Sequence, residues 1–559
     1  MKPKRTDKSE IKSDELHPVK QGACKSDQSK TFKGRKDRRD YRGSRPTDGS
    51  VRLSKTNDPT WYMKNPIQAQ ASANLSFASM LGLKFNIPGH SPDAISAHAV
   101  DEPVMPGICT LWLDSGVGTA NVATDPVTVA ATNIYTFNRQ KNSGAKNYEV
   151  PDYFMYLIAM RDAYAAFGYL MRIYGLINKY KVTNRYTPKG LFQALHLNYD
   201  NFKGNMAQFL FRINVIGAKI DSLCAPAALE IYRRAFWQFT AVYEEDETGK
   251  GQMYMYAPRS LLKFSATVEN TGSSLVPIWF ERPNTTSDWQ WDTLCDAVES
   301  LIDPLVTDED IGIMSGDTRK WTEGNDFHVG QVPADFTIDA ILDKNVLQQM
   351  HNAITSDPWD SGPYPYTTPN DQLTSWVYQQ NLAILTRTLR EGLVDDGVTN
   401  MGAQFDSILD VDAENPSVEE VLEFTRLKCV VDINDDYVIS ALYCDVYTLH
   451  HFSIVYREAA DDNLCTLYTM DTRSKSGVIP PITGMARSQY LITQFEWAPI
   501  IYLTTGYYSG GGSTQGAQYI AHFIGNFHNY AVVDKQTLRN LHTTALLSQY
   551  SIPASEHLK

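Results

Sequence analysis

The chain has 559 residues, 43% of them apolar and 11% aromatic, and a net charge of −13. This length and apolar content exclude a wholly disordered chain and allow two to four ordinary domains, or one large domain with a second inserted. The charge is split: residues 1–60 carry 17 Lys/Arg against 9 Asp/Glu, a net +8, which leaves 34 against 55, a net −21, for the other 499.

Only 10 of the first sixty residues belong to the apolar set AVILMFWYC. So little apolar surface cannot offset the entropy of ordering, and the segment is predicted to be a disordered basic arm. Its densest run is Lys33-Gly-Arg35-Lys36-Asp-Arg38-Arg39-Asp-Tyr41-Arg42-Gly-Ser-Arg45. Arg clasps phosphate with two donors at once, and Tyr41 offers a ring to stack on a base. Lys33, Arg35, Lys36, Arg38, Arg39, Arg42 and Arg45 are therefore candidate nucleic-acid contacts. The alternative for the same run is a solvated tail that keeps the protein dispersed. No secretory apolar stretch opens the chain. Residues 153–171 are interrupted by Arg161 and Asp162, short of the roughly eighteen uninterrupted apolar residues of a membrane span, so a cytoplasmic protein is expected.

Residues 65–150 read as loops and short strands broken by Pro88, Pro103, Pro106 and Pro126. Residues 152–180 then form the strongest helical pattern of the chain, apolar almost all round. On it Arg161, Ala165, Gly168, Arg172, Gly175 and Lys179 fall on one stripe at about 3.6 residues per turn. The small residues there would admit a neighbouring helix while the cations snorkel to water, or the stripe would face a polyanion. Helices are predicted over 203–222, with Met206, Phe209, Leu210, Ile213, Ile216 and Ile220 inward and Gln208, Arg212 and Lys219 opposite, and over 227–243 after Pro226. Past the acidic break at 244–249, strand-like runs occur at 253–268, 429–443, 446–456, 464–470 and 497–504, with a hairpin turn at Asn434-Asp-Asp436. Helices are expected at 289–302, after the capping box Ser417-Val-Glu-Glu420, and at 535–550. Residues 358–366 and the Gly-rich 506–516 read as loops, and no internal repeat is present.

The seven Cys (24, 109, 224, 295, 429, 444 and 465) show no CxxC and no metal spacing, as expected of reduced buried thiols. Thr248-Gly-Lys-Gly251 is not a P-loop, and Gly510–Gly512 lacks the partners of a dinucleotide site. His450 and His451, adjacent in a strand, should point to opposite faces, and His522 and His528 are six apart. Neither Gly316-Asp-Thr318 nor Asn434-Asp-Asp436 is the Gly-Asp-Asp expected of an RNA polymerase. The expectation is a structural or binding protein rather than an enzyme, with no cofactor and no metal. The 31 Tyr and 10 Trp fit either an extensive protein interface or a Tyr-rich core.

Several stretches resemble picobirnavirus capsid proteins: Asn57-Asp-Pro-Thr-Trp-Tyr62, Asn133-Ile-Tyr-Thr-Phe137, Asn142-Ser-Gly144 with Asn147-Tyr148 and Pro151-Asp152, Met171-Arg-Ile-Tyr-Gly175, Asn184-Arg-Tyr186 with Pro188, and Ser222-Leu-Cys224 with Pro226. The resemblance covers the region from 57 to about 250. It implies a structural protein of the virion that dimerises and builds a small icosahedral shell around double-stranded RNA and a packaged viral polymerase, assembled in the host cytoplasm. It implies a mixed α+β fold: a disordered basic arm (1–60), a helix-rich shell domain (61–245 and 500–559) and an inserted β-containing protrusion domain (246–499). Some members cleave themselves after an Asn. Here Asn65 precedes Pro66, so attack of the side-chain nitrogen on its own carbonyl is the route left open, against a plain turn or extended link. The alternatives are a non-capsid RNA-binding protein with a basic arm, and a hydrolase using the histidines near 450 or 522.

Overall fold

The computed structural model describes residues 63–75 and most of 107–552; it leaves out 1–62, 76–106, 119–123, 143, 145–147, 180–186, 249, 269–271, 284–286, 354–365, 368–377, 380–406, 429, 434–438, 444, 458–463, 469–493, 500, 506–519, 525–526 and 553–559. The chain divides into two compact units, Met1–Ala78 and Ser79–Lys559. In the first, the described element is the helix α1, Pro66–Ala73.

The second unit is built around one strand and one helix. β1 (Ile108–Ser115) is buried along its whole length, as a central strand covered on both faces must be. Among the described residues six helices follow: α2 (Pro126–Lys141), α3 (Val150–Asn178), α4 (Thr187–Ala194), α5 (Tyr199–Gly204), α6 (Met206–Asp221) and α7 (Glu230–Gln238). They form the crossover that lets β3 (Met253–Val268) run parallel to β1, with Leu111 opposite Tyr256, because parallel neighbours need a long connection. The short β2 (Tyr243–Glu244) and β4 (Gly272–Trp279) pair antiparallel with β3.

Then come α8 (Trp291–Thr307), α9 (Glu309–Thr322), α10 (Lys344–His351), β5 (Tyr366–Thr367), β6 (Tyr378–Gln379), β7 (Ser407–Asp410), α11 (Val418–Phe424), β8 (Val430–Ile433), β9 (Ile439–Tyr443), β10 (Tyr447–Arg457), β11 (Leu464–Tyr468), β12 (Ile501–Thr505), β13 (Ile520–Ile524), β14 (Tyr530–Val533) and α12 (Lys535–Gln549). The main sheet has the order β11-β10-β1-β3-β4-β5-β6, with β2 beside β3. β12–β13, β7–β14 and β8–β9 are separate antiparallel pairs.

α3 is the centre of the core. Pro151 opens it, and Glu149 and Asp152 close a reciprocal capping box. Of its 29 residues all but Asp152, Met171 and Asn178 are buried. A helix so apolar all round needs cover on every side, and α7, β3, α6, α8 and α2 supply it. The small residues of its stripe are where cover comes closest: a Cβ at Gly168 would lie 2.6 Å from the Phe236 carbonyl oxygen, and one at Gly175 would lie 2.7 Å from Ile338 Cγ1.

The mixed helix-and-sheet class expected from the sequence is present, and the predicted strand 253–268 coincides with β3. Two expectations are corrected. Pro126 does not break the chain into loops; it starts α2, because a proline at the first helical turn lacks only an N–H that has no partner there. The helix predicted over 227–243 spans only Glu230–Gln238, since Tyr243 is needed to pair with Tyr254 of β3. Described segments of 246–499 pack with those on either side: β3, β4 and β10 share one sheet with β1, and Tyr256, Leu301, Met350 and Phe452 belong to the same core as Leu111 and Leu157. The physical reason is that β1, buried throughout, requires a paired strand on each edge. The turn at 434–436 lies outside the described residues.

The cation stripe on α3 also takes a third form, neither snorkelling nor facing a polyanion. Arg161 and Arg172 are fully buried. Arg161 bonds Asp162 and Ser115, and donates to the Gly116 carbonyl at 2.8 Å, with Tyr447 beneath its guanidinium. Burial opposes its charge, but Asp162 beside it holds its pKa above the ordinary value. Asp162 in turn accepts from Ser115 Oγ at 2.6 Å and the Leu262 backbone N–H at 2.7 Å. Removing one member of such a pair strands a buried charge. Asp162→Ala is expected to lower stability by about 3–5 kcal/mol, read as the unfolding midpoint of the unassembled protein; an unchanged midpoint would show that the pair does not hold α3 to the sheet.

Candidate functional site

The candidate RNA contacts Lys33, Arg35, Lys36, Arg38, Arg39, Arg42 and Arg45 lie outside the described residues. Asn65 is described, and it caps α1. Its Oδ1 accepts from the backbone N–H groups of Ile67 (3.0 Å) and Gln68 (3.4 Å), and its carbonyl accepts from Ala69 (3.0 Å). That is the ordinary work of an N-cap asparagine ahead of a proline. It commits the side-chain oxygen to the helix start, whereas chain cleavage needs the amide nitrogen on the residue's own carbonyl carbon.

Three other polar clusters stand out. The first surrounds Trp112, whose ring stacks on His196 (centroids 5.5 Å, 7° between planes) and lies 6.2 Å from His451. His450 and His451 do not point to opposite faces as expected; their Nδ1 atoms are 2.8 Å apart. The β1–β10 register shifts between Trp112 and Leu113, which pair with His451 and Leu449 and leave His450 as the extra residue of a bulge. A bulge turns its residues out of alternation, which brings the two rings together. His451 Nε2 lies 3.4 Å from Glu281 Oε1, and Arg259, stacked over Trp279, bridges Glu281 and Asp114. Burial works against the Glu281 carboxylate, but His451, Arg259 and His196 outweigh it and hold its pKa at about 2. Burial, with Arg282 alongside, pushes His196 down to about 4.

The second cluster joins four distant segments. Asp410, fully buried, faces His351 Nε2 at 3.3 Å and His528 Nδ1 at 3.1 Å, and accepts the backbone N–H groups of His528 and Asn529. His528 Nε2 reaches Glu496 at 3.5 Å while its ring stacks on Trp497. The third sets Asp445 against Arg234 and Arg426 under α12, with buried His542 nearby pushed down to about 4, first by burial.

Chemically these clusters are fasteners. Two buried serine hydroxyls are taken: Ser453 accepts from Trp112 Nε1 at 3.0 Å, and Ser115 donates to Asp162 at 2.6 Å. Burial pushes the thiols up, Cys224 and Cys295 to about 12 and Cys109 further, so none is a thiolate near neutrality. No group of three or more His, Cys, Asp or Glu is placed to hold a metal among the described residues. Nor is any described helix long and apolar enough to cross a membrane. The side chain of His522 lies outside the described residues.

The tyrosines matter more than the sequence indicated. Among the described residues, nine of the twelve largest fully buried side chains are Tyr, among them Tyr156, Tyr169 and Tyr256. Tyr156, Tyr164 and Tyr174 of α3 donate to the carbonyls of Cys224, Phe327 and Ala334 at 2.6, 2.7 and 2.8 Å. The Tyr-rich-core alternative holds for these residues.

Such a scaffold, rich in buried ion pairs and buried tyrosines, is what a structural subunit needs. A family model described as the picobirnavirus capsid protein matches residues 61–461. This chain belongs to the picobirnavirus capsid protein family. As a capsid protein it is a structural component of the virion. It is similar to a capsid protein precursor of human picobirnavirus (strain Human/Thailand/Hy005102), at 25% identity over 536 residues, 89% of this chain and 92% of the relative. The X-ray crystallographic structure of the picobirnavirus capsid shares its fold, with a TM-score of 0.68 at 20% identity, over 88% of this chain and 98% of that one.

Two measurements test the fastener reading of the capsid protein. Arg172, over the ring of Tyr169, donates to the Tyr256 carbonyl at 2.6 Å and has no carboxylate against it in the described residues; burial lowers its pKa to about 10. A methionine of similar volume avoids that desolvation, so Arg172→Met should leave the unfolding midpoint unchanged or raised; a fall of several degrees would give the guanidinium a partner it needs.

The second concerns pH. Burial lowers the His528 pKa, but Asp410, Asp412 and Glu496 outweigh this and raise it above 6.5. Its stabilisation is complete below the unfolded value and is lost as pH rises through the folded one. Burial raises the Asp410 pKa, but His351 and His528 outweigh it and hold it below 3.8, so its contribution is lost only as pH falls through that lower value. His528→Gln should therefore be less stable than the parent below about pH 6.5 and converge with it in base. Parallel melts across pH check this; a gap that does not change with pH would remove His528 from the proton balance.

Proposed function

We propose that this capsid protein dimerises and assembles in the host cytoplasm into a closed icosahedral shell that encloses double-stranded RNA and the viral polymerase. The observation that supports the reading most is the match of fold to a picobirnavirus capsid over 88% of the chain. The charge split adds to it. An arm of net +8 on a body of net −21 places the attraction for a polyanion in residues 1–60, with Lys33, Arg35, Lys36, Arg38, Arg39, Arg42 and Arg45 as its densest part. The acidic remainder keeps finished particles apart. Any protrusion domain draws on the part of 246–499 that lies outside the common core.

Electron microscopy of the full chain expressed alone should show closed particles of one size. A monomer or dimer that persists across salt and added RNA would favour the non-capsid RNA-binding alternative. Deleting residues 1–57 should lower the RNA content of the particles. If all eight net charges meet phosphate, binding by the arm weakens with salt at a log–log slope of about −7; unchanged packaging without the arm would remove its RNA role.

One further reading concerns processing. The human picobirnavirus relative carries the name precursor, and Asn65 heads the first described element of this chain. Cleavage there would release a fragment ending at Asn65 and leave a body starting at Pro66. Intact mass measurement of assembled particles decides: full-length chains alone leave Asn65 as the cap of α1 and nothing more.

A further inference from the structure

α6 has two apolar faces where a surface helix ordinarily has one. Phe209, Ile213, Ile216 and Ile220 are buried in the core. Ala207, Phe211, Val215 and Ala218 are exposed, Phe211 by 71% and Val215 by 37%. At about 100° per residue these four fall within an arc of roughly 80°. The polar face expected from the sequence is not there, because its residues are drawn sideways. Arg212 pairs with Asp296 and with Glu299 (2.9 Å), and Lys219 with Asp303 (2.8 Å), all on α8. On the other flank Asn214 Oδ1 accepts from the Val332 N–H at 2.8 Å, and Asp221 accepts from the Val329 N–H at 3.0 Å. All three charged side chains of α6 are thus turned to lateral partners, leaving an apolar outward ridge bordered by Gln208.

The ridge reads nearly the same in both directions. Its order, Ala–Phe–Val–Ala, is centred on residue 213. An antiparallel copy of the same helix would set Phe211 against the partner's Val215 and Ala207 against the partner's Ala218. The small residues at both ends would let the backbones approach, and the helix dipoles would oppose. A two-fold axis produces this self-matching pattern, and an unrelated partner would not require it. We infer that the outward ridge of α6 is a homotypic contact, in which two copies of this chain pack α6 antiparallel across a two-fold axis.

The inference rests on the capsid reading, in which copies of the chain must bury surface against each other. One helix pair covers less than the roughly 1,200 Å² of a free-standing interface. It therefore acts as one of several repeated contacts that are individually weak and collectively sufficient for a closed shell.

The test uses the full chain under conditions that give particles. Phe211→Asp alters an exposed residue, so the fold should survive, as circular dichroism and the melting midpoint would show. Burying an unpaired carboxylate at the axis should lower particle yield by roughly tenfold or more. In the double variant Phe211→Cys and Val215→Cys, mild oxidation of assembled particles should give covalent dimers on a non-reducing gel, and either single variant should give fewer. If the parent chain forms no particles, the capsid reading fails. If the parent assembles, and Phe211→Asp assembles equally well with no cross-link in the double variant, the α6 pairing alone is overturned and the ridge belongs to a different partner.

Discussion

The structure depends on keeping α3 dry. A helix buried through 26 of its 29 residues cannot lie at a surface, so α2, α6, α7, α8 and β3 are placed to cover it. α7 comes against Gly168, β3 lies across another face, and the chain at 336–338 closes over Gly175. The two glycines are small because backbone and side chains from elsewhere occupy the space a Cβ would take. The parallel pairing of β1 with β3 fits the same need, since the crossover between them holds α3 together with α2, α6 and α7, which pack on it.

Excluding water around α3 makes every polar group there expensive unless it is paired. The chain meets that cost with long side chains that span to distant backbone. Tyr hydroxyls on α3 reach carbonyls at 224, 327 and 334, and so fasten the segments between helices to the core. Arg161 and Asp162 tie the end of β1 to the helix and to β3 in one network. The histidine clusters do similar work at the bulge of β10 and where residues 351, 410, 496 and 528 meet. Such fasteners suit a subunit that must keep one shape while identical neighbours load it from several sides.

A good part of this was legible in the sequence, because it is local. The apolar run of α3, the alternation of β3, the Ser417–Glu420 capping box, whose two reciprocal hydrogen bonds are both formed, and the terminal helix each carry a pattern within a few turns of chain. What was missed depends on partners far along the chain. Pro126 suits a helix start as well as a loop, and only the continuation of α2 distinguishes them. The approach of His450 to His451 requires a bulge that is defined by β1, more than 330 residues earlier. The outward ridge of α6 was hidden because Arg212 and Lys219 are polar in sequence, yet α8 draws them aside.

By itself, then, the sequence determined that segments such as α3 and α12 are helix and β3 is strand, that a basic arm precedes an acidic body, and that the order of short motifs matches one capsid family. Those properties reside in neighbouring residues and in composition. Tertiary structure alone decided that the expected insertion shares a core with the shell segments, that the α3 arginines are internal, and which apolar residues remain for another copy of the chain. Each of these is set by which distant groups meet when water is excluded, and no local pattern encodes that meeting.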